Sequence, residues 1–203
     1  MFALPPTTSI ADSPYFGVYP SSETMPAVRA EARKALELDA ANPKAHGLLC
    51  TVAGLYDYDW KEAERQYRLA LASDPVPPSV RGRCAISYLL PLGRFQEAII
   101  QFERDLEQDP LSVAGRAFLA RTLLSAGLCD RALAEAKKCL DTHENHWLPL
   151  LVMSVICLQL GRIEEARQAA EESVRAAPGA HRPSGCLREF WLALGKSTAW
   201  TNS

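Results

Sequence analysis

The sequence predicts an all-α protein, a solenoid of stacked antiparallel helix pairs, and three observations support this fold class. Glycines recur every 34 residues, at Gly93, Gly127, Gly161 and Gly195. Alanines form a second series with steps of 35, 34 and 34 residues, at Ala63, Ala98, Ala132 and Ala166. Apolar residues recur at helical spacing on both sides of each glycine. A fixed period of this length is typical of repeat proteins in which each unit buries its faces against its neighbours.

Each repeat is predicted to contain two helices separated by a glycine turn. In the unit that follows Pro75, the apolar residues before Gly93 are Cys84, Ala85, Tyr88 and Leu89, and those after it are Phe95, Ala98, Ile99, Phe102 and Leu106. Glycine suits the left-handed turn that ends a helix, and a proline marks the next boundary. These prolines are Pro75, Pro110 and Pro178.

The chain is predicted to contain about four full repeats and a partial unit at each end. Residues 1–22 are expected to form an irregular N-terminal segment with a partial helix, because Pro14 and Gly17 interrupt it. Residues 23–178 form the repeat array. Residues 179–203 are expected to form a capping helix and a loose tail, because Leu187, Trp191 and Gly195 continue the register. The alternative is that the chain is a fragment of a longer protein.

The repeat resembles the tetratricopeptide repeat (TPR), whose pattern is W-x2-L-G-x2-Y, then A-x3-F, then P over 34 residues. The second unit carries the resemblance with Cys84-Ala85-x2-Tyr88, Ala98-x3-Phe102 and Pro110. The Trp position is filled by His46, Arg81, Arg116 and Leu150. The first two units also carry one extra residue each, which we assign to the turn between their helices. The resemblance implies a right-handed superhelix whose first helices line an inner, concave groove.

A second likeness concerns the first part of the array. Met25-Pro26, the run Ala35-Leu36-Glu37-Leu38-Asp39, and the run Tyr56-Asp57-Tyr58-Asp59-Trp60 look like the TPR regions of bacterial signalling and regulatory proteins. Such regions are attached to cyclases, kinases and transcriptional regulators. The likeness implies a sensing or signalling arm.

The predicted partner-binding groove follows from the TPR resemblance, residue by residue. It comprises Thr51, Leu55, Arg83, Ile86, Leu90, Ala117, Arg121, Leu124, Leu148, Leu151, Val155 and Leu158. The set begins mixed and becomes apolar toward the C-terminus, and a contiguous exposed apolar patch marks a binding surface. Two alternatives stay open: the helix at Pro183–Leu194 covers this surface, or two copies of the chain bury it together.

Composition argues against nucleic acid and membrane partners. The net charge is −2 and the pI is about 6.1, without the basic stripe of a nucleic-acid binder. RNA-binding helical repeats need a basic groove, and the predicted groove holds only Arg83 and Arg121. The longest apolar run, Trp147 to Leu160, is too short to span a bilayer. The N-terminus lacks a basic export signal, so we expect a cytoplasmic protein with reduced thiols.

No group of residues forms a recognisable catalytic, cofactor or metal site. Cys50, Cys84, Cys139 and Cys157 fall on small or apolar repeat positions, where free cysteine acts as a small hydrophobe. The H-x-x-H pair, His143 and His146, has no third ligand at a zinc-site spacing. Asp59 is expected to cap the helix that starts at Trp60 rather than to act with Asp57 in catalysis. Phosphate-binding and nucleophile motifs are absent from the sequence.

These observations predict a non-enzymatic protein–protein interaction module, an adaptor, scaffold or regulatory arm that binds a peptide or helix in the concave groove. We expect no catalytic residue, cofactor or metal, and a protein or peptide partner. The alternatives are a homo-oligomerisation segment, with a homodimer as its simplest form, and a fragment of a larger bacterial signalling enzyme or transcriptional regulator.

Overall fold

The computed structural model describes residues 21–176, and within this range the chain forms helices and connecting turns without a strand. The α-helices are α1 (Ser21–Leu38), α2 (Pro43–Val52), α3 (Trp60–Ala70), α4 (Val80–Cys84), α5 (Phe95–Gln108), α6 (Val113–Ser125), α7 (Cys129–Thr142), α8 (Trp147–Gln159) and α9 (Ile163–Ala176). Two π-helical segments, π1 (Ala53–Asp57) and π2 (Ala85–Leu89), continue α2 and α4 without a break. The predicted capping helix at Pro183–Leu194 and almost all of the 1–22 segment lie outside the described residues.

The helices form four complete antiparallel pairs, α2/α3, α4/α5, α6/α7 and α8/α9, and each pair packs against the next. The preceding helix α1 packs on α2, where Met25 and Val28 bury against Val52. One apolar core runs from Cys50 in the first pair to Ile156 in the fourth. The predicted all-α solenoid with four full repeats and a partial unit before them is therefore confirmed.

The glycine series marks the turn between the two helices of a pair. Gly93, Gly127 and Gly161 have φ angles of 69°, 78° and 72°, the left-handed region that glycine adopts without strain. In the third pair the Leu128 N–H donates to the Leu123 carbonyl at 2.9 Å, and the Gly127 N–H donates to the Leu124 carbonyl at 3.0 Å. This is the Schellman arrangement, which satisfies the last carbonyls of a helix.

The extra residue of the first two repeats does not lie in the inter-helix turn, and that prediction is wrong. The left-handed residue lies five residues before the repeated alanine in every pair, for example Tyr58 (φ 55°) before Ala63 and Gly93 before Ala98. The insertion lies earlier, inside the first helix, as π1 and π2. A π-helical turn accommodates one added residue while it keeps the backbone hydrogen bonded, so the turn geometry is preserved.

The two π segments lie against each other and bring the first two repeats into close contact. A Cβ on Gly54 would lie 2.1 Å from the Ser87 carbonyl oxygen, so only glycine fits there. The Thr51 and Ser87 hydroxyls are 2.9 Å apart and both are buried. The first helices of these repeats therefore meet through small and hydroxyl side chains.

The Trp position of the repeat is occupied by side chains that bond to the second helix of the same pair. His46 Nδ1 lies 2.7 Å from Gln66 Oε1, Arg81 donates to Gln101 Oε1 at 3.1 Å, and Arg116 donates to Glu135 Oε2 at 2.7 Å. In the fourth pair the equivalent residues are Leu150 and Ala169, both buried. A polar pair thus replaces the aromatic anchor in three repeats and an apolar pair replaces it in the fourth.

The short helix α4 depends on a carboxylate from its partner helix. Ser79, which precedes α4, has a φ of 69° and makes no side-chain capping bond. Asp105 of α5 instead accepts the Gly82 N–H at 2.7 Å and satisfies one of the free donors at the start of α4. Asp105 is 7% exposed, and its burial raises the pKa of this carboxyl above its usual value.

We predict that Gly54→Ala lowers the free energy of unfolding by about 1–3 kcal/mol, because the added methyl group meets the Ser87 carbonyl. Gly47→Ala in the same first helix is the matched control. Its Cβ would make ordinary contacts at 3.6 Å, and alanine favours a helix by about 1 kcal/mol over glycine. Urea denaturation of both variants measures the difference. Equal stability of the two variants would contradict the close approach of π1 and π2.

We also predict that Gln66→Ala destabilises the chain by about 1–3 kcal/mol, because it leaves Nδ1 of buried His46 without its partner, while Nε2 keeps its contact with the Ala40 carbonyl. The double variant His46→Leu/Gln66→Ala copies the pair found in the fourth repeat and should regain at least half of that loss. A double-mutant cycle measured by thermal and urea unfolding tests the coupling. Additive losses would show that the two side chains do not act as a pair.

Candidate functional site

The twelve predicted groove residues all lie on the first helices of the pairs or directly after them. Their exposure differs widely along the row. Arg121 is exposed, and seven are half-buried, namely Leu55, Arg83, Ile86, Leu90, Leu151, Val155 and Leu158. The other four are buried, namely Thr51, Ala117, Leu124 and Leu148. The surface that a partner can touch is therefore formed by eight of the twelve side chains.

The N-terminal part of the row is closed by the contact between α2 and α4. Thr51 is 1% exposed, because its hydroxyl bonds to the Gly47 carbonyl at 3.2 Å and lies beside Ser87. The Arg83 side chain lies across α2, with its Cδ 3.6 Å from the position of a Cβ on Gly47. In this part of the molecule, the groove residues hold two repeats together.

The central part of the row is more open. The first helices of pairs one and two pack directly together, as do those of pairs three and four, whereas the backbones of α4 and α6 approach each other less closely. Large side chains fill the space under this part of the row. Among them are Phe102 and Phe118, whose stacked ring centroids lie 6.4 Å apart. Ile86 and Leu90, which follow α4, are half-buried, and Arg121 of α6 is exposed.

The C-terminal part of the row is apolar. Helix α8 contains no charged residue between Trp147 and Gln159. Its Leu151, Val155 and Leu158 lie on one face at helical spacing and are each half-buried. Their neighbours Ile156 and Cys157 are buried in the cores that α8 shares with the flanking helices.

The prediction of groove residues overlooked Phe118. It lies one turn before Thr122 on α6, is half-buried, and occupies the repeat position that Arg83 occupies in the second pair. The signal was available in the sequence, because Arg83 and Phe118 are 35 residues apart. An aromatic residue at this position enlarges the apolar floor of the opening between α4 and α6.

The cysteines in the described part of the chain are free thiols and four of the five are buried. Cys50 and Cys84 are both 0% exposed, at the contact between α2 and α4. The hydrogen bond with Cys84 and burial together raise the pKa of Cys50 far above its usual value. A protonated, enclosed thiol is a poor nucleophile and a poor metal ligand, so these residues act as small core side chains.

The acidic and histidine candidates have local structural roles. Asp59 accepts the Glu62 N–H at 3.1 Å and caps α3 as predicted, while Asp57 pairs with Arg29 of α1. The His146 ring accepts the Leu148 N–H at 3.2 Å at the start of α8, and burial lowers the pKa of His146. Between residues 21 and 176, no three His, Cys, Asp or Glu side chains converge as metal ligands. None of the described helices is long and apolar enough to cross a bilayer.

Comparison with known proteins gives matches in fold rather than in sequence. No protein-family model matches the chain, and no curated protein matches it. The structure from the functional characterisation of Pseudomonas aeruginosa pilF aligns with a TM-score of 0.64 at 22% identity, covering 92% of this chain and 85% of that one. PilW, a widely conserved type IV pilus biogenesis factor, aligns with a TM-score of 0.67 at 16% identity, covering 94% and 89%.

A third solved structure is similar over most of its length. YrrB, a TPR protein with an unusual peptide-binding site, aligns with a TM-score of 0.55 at 18% identity, covering 82% of this chain and 85% of YrrB. The helix pairs, the left-handed glycine turns and the buried alanines of this chain agree with these matches. The chain therefore has the tetratricopeptide-repeat fold that its sequence predicts.

Proposed function

We propose that this chain is a protein–protein interaction module that binds a peptide or a helix of its partner in the groove formed by the first helices. The observation that carries this proposal is the apolar face of α8. Leu151, Val155 and Leu158 form a row of half-buried apolar side chains on a helix without charged residues, and Leu151 and Leu158 also pack against the core of Cys157, Ala166 and Ala170. A helix that is apolar on all sides is most stable when every side is buried. A bound partner would bury the side of α8 that carries these three residues.

The opening between α4 and α6 extends this apolar surface toward the middle of the array. Ile86 and Leu90 of the second pair add half-buried apolar side chains to the predicted groove. A groove of this kind accepts the apolar face of an amphipathic helix, or alternate side chains of an extended peptide. YrrB, which shares the fold, has a peptide-binding site, and this supports the same type of ligand here.

The proposed role is binding without catalysis, cofactor or metal. The carboxylates of Asp59, Asp57 and Asp105 serve as a helix cap, an ion-pair partner and a buried hydrogen-bond acceptor. We propose a cytoplasmic setting, since the described cysteines are free thiols, which suits a reducing compartment.

Selection of peptides from a random display library on the full chain tests this proposal. We predict that selected peptides bind the unaltered protein, and that Leu158→Glu weakens their binding by at least about tenfold, because a carboxylate replaces an apolar contact. Leu69→Glu is the matched control. Leu69 is an exposed leucine on the second helix α3, so the same substitution there should leave peptide binding unchanged.

Light scattering on the same proteins supplies the outcome that would contradict the proposal. A monomer for both the unaltered chain and Leu158→Glu keeps the groove available to another protein. A dimer that Leu158→Glu dissociates would identify the groove as a self-association surface. Circular dichroism melting curves confirm that the variants fold, and Val155→Glu provides a second variant on the same face.

A further inference from the structure

Charge is distributed unequally between the two kinds of helix in the four pairs. The first helices with π1 and π2 carry five cationic side chains, Lys44, Arg81, Arg83, Arg116 and Arg121, and one carboxylate, Asp57, which leaves a net of four positive charges. The second helices carry nine cationic and thirteen acidic side chains, a net of four negative charges. The near-neutral total of the chain conceals this separation between its groove-lining and outer helices.

Several of these charges are neutralised or directed away from the groove. Arg116 bonds to Glu135, and Arg81 to Gln101, so both guanidinium groups point toward the second helix of their own pair. The carboxylate of Asp57 is paired with Arg29. The charge that remains at the centre of the groove is Arg121, which is exposed and makes no side-chain hydrogen bond or ion pair within the described part of the chain.

Arg121 lies within an apolar surround. It occupies the same repeat position as Ile86 in the second pair and Val155 in the fourth, and both of those side chains are half-buried. It lies on α6, whose backbone approaches that of α4 less closely than the other neighbouring first helices approach each other. The groove thus presents the exposed Arg121 and the half-buried Arg83 among apolar side chains, and its own first helices offer no unpaired carboxylate to neutralise Arg121.

We infer that the groove selects an acidic amphipathic segment of a partner protein, with a carboxylate beside Arg121 and apolar side chains on the rows of Ile86 and Val155. This inference rests on the proposed function and specifies the chemistry of the partner. A guanidinium group forms two parallel hydrogen bonds with a carboxylate, which gives orientation as well as attraction. Arg121 disfavours basic peptides, because like charges would be desolvated together.

The test compares peptide pools selected by the full chain and by two charge-reversal variants. Arg121→Glu reverses the groove charge. Arg104→Glu is the control, because Arg104 is an exposed arginine of α5 and its reversal changes the net charge by the same amount. We predict that peptides selected by the unaltered chain are enriched in Asp and Glu beside apolar residues. Their affinity, measured by fluorescence anisotropy, should fall at least about tenfold in Arg121→Glu and stay unchanged in Arg104→Glu.

Reversing the charge on both the protein and the peptide gives a second readout. A selected peptide whose Glu is replaced by Lys should bind Arg121→Glu more tightly than it binds the unaltered chain. Affinity of the acidic peptide should also fall as salt is raised from about 50 to 300 mM, since screening weakens partly exposed ion pairs.

The outcomes separate this inference from the proposed function. Peptides that bind through the groove, shown by their loss in Leu158→Glu, but lack acidic enrichment would overturn the inference and leave the binding function intact. Failure to select any peptide that is sensitive to Leu158→Glu would overturn both. Tighter binding of a single-stranded RNA oligonucleotide than of any peptide, abolished by Arg121→Glu, would overturn the inference in favour of a nucleic-acid groove.

Discussion

The structure depends on the contact between one alanine of each second helix and the first helix of the same pair. Ala63, Ala98, Ala132 and Ala166 are all 0% exposed. A residue without side-chain atoms beyond Cβ lets two helices approach closely, and interiors packed to this density tolerate little added volume. The two helices of a pair meet at this alanine. Their other faces pack against the neighbouring pairs, so the core continues from one repeat to the next.

The sequence was sufficient to predict the repeat, its length and the position of its turns. The glycine series worked as a signal because Gly93, Gly127 and Gly161 adopt a left-handed φ, and the alanine series worked because its members are fully buried. The position of the extra residues could not be predicted, since a spacing pattern shows only that a residue has been inserted. The choice between a longer turn and a π-helical segment depends on the packing of Gly54 against Ser87, which is a tertiary contact.

The exposure of the predicted groove residues could not be predicted from the sequence, and the reason is also tertiary. Repeat position identifies which residues face the inside of the array, but the distance between neighbouring first helices decides which of them stay accessible. Thr51 is closed off where α2 meets α4, while Ile86 and Arg121 remain accessible where α4 and α6 diverge. The hydrogen-bonded pairs at the Trp position could not be predicted from the repeat pattern either, because the partners, such as His46 and Gln66, belong to different helices.

The π-helical segments also limit how this array can be rebuilt. Pairs one and two share the insertion and fit each other through Gly54 and Ser87, whereas pairs three and four have ordinary α-helical first helices. Because π1 and π2 fit each other only in the first two pairs, the two halves of the described array present different first-helix surfaces to a neighbour. The interchangeable module of this protein is therefore a block of two repeats, and engineered lengthening or shuffling should transfer such blocks intact.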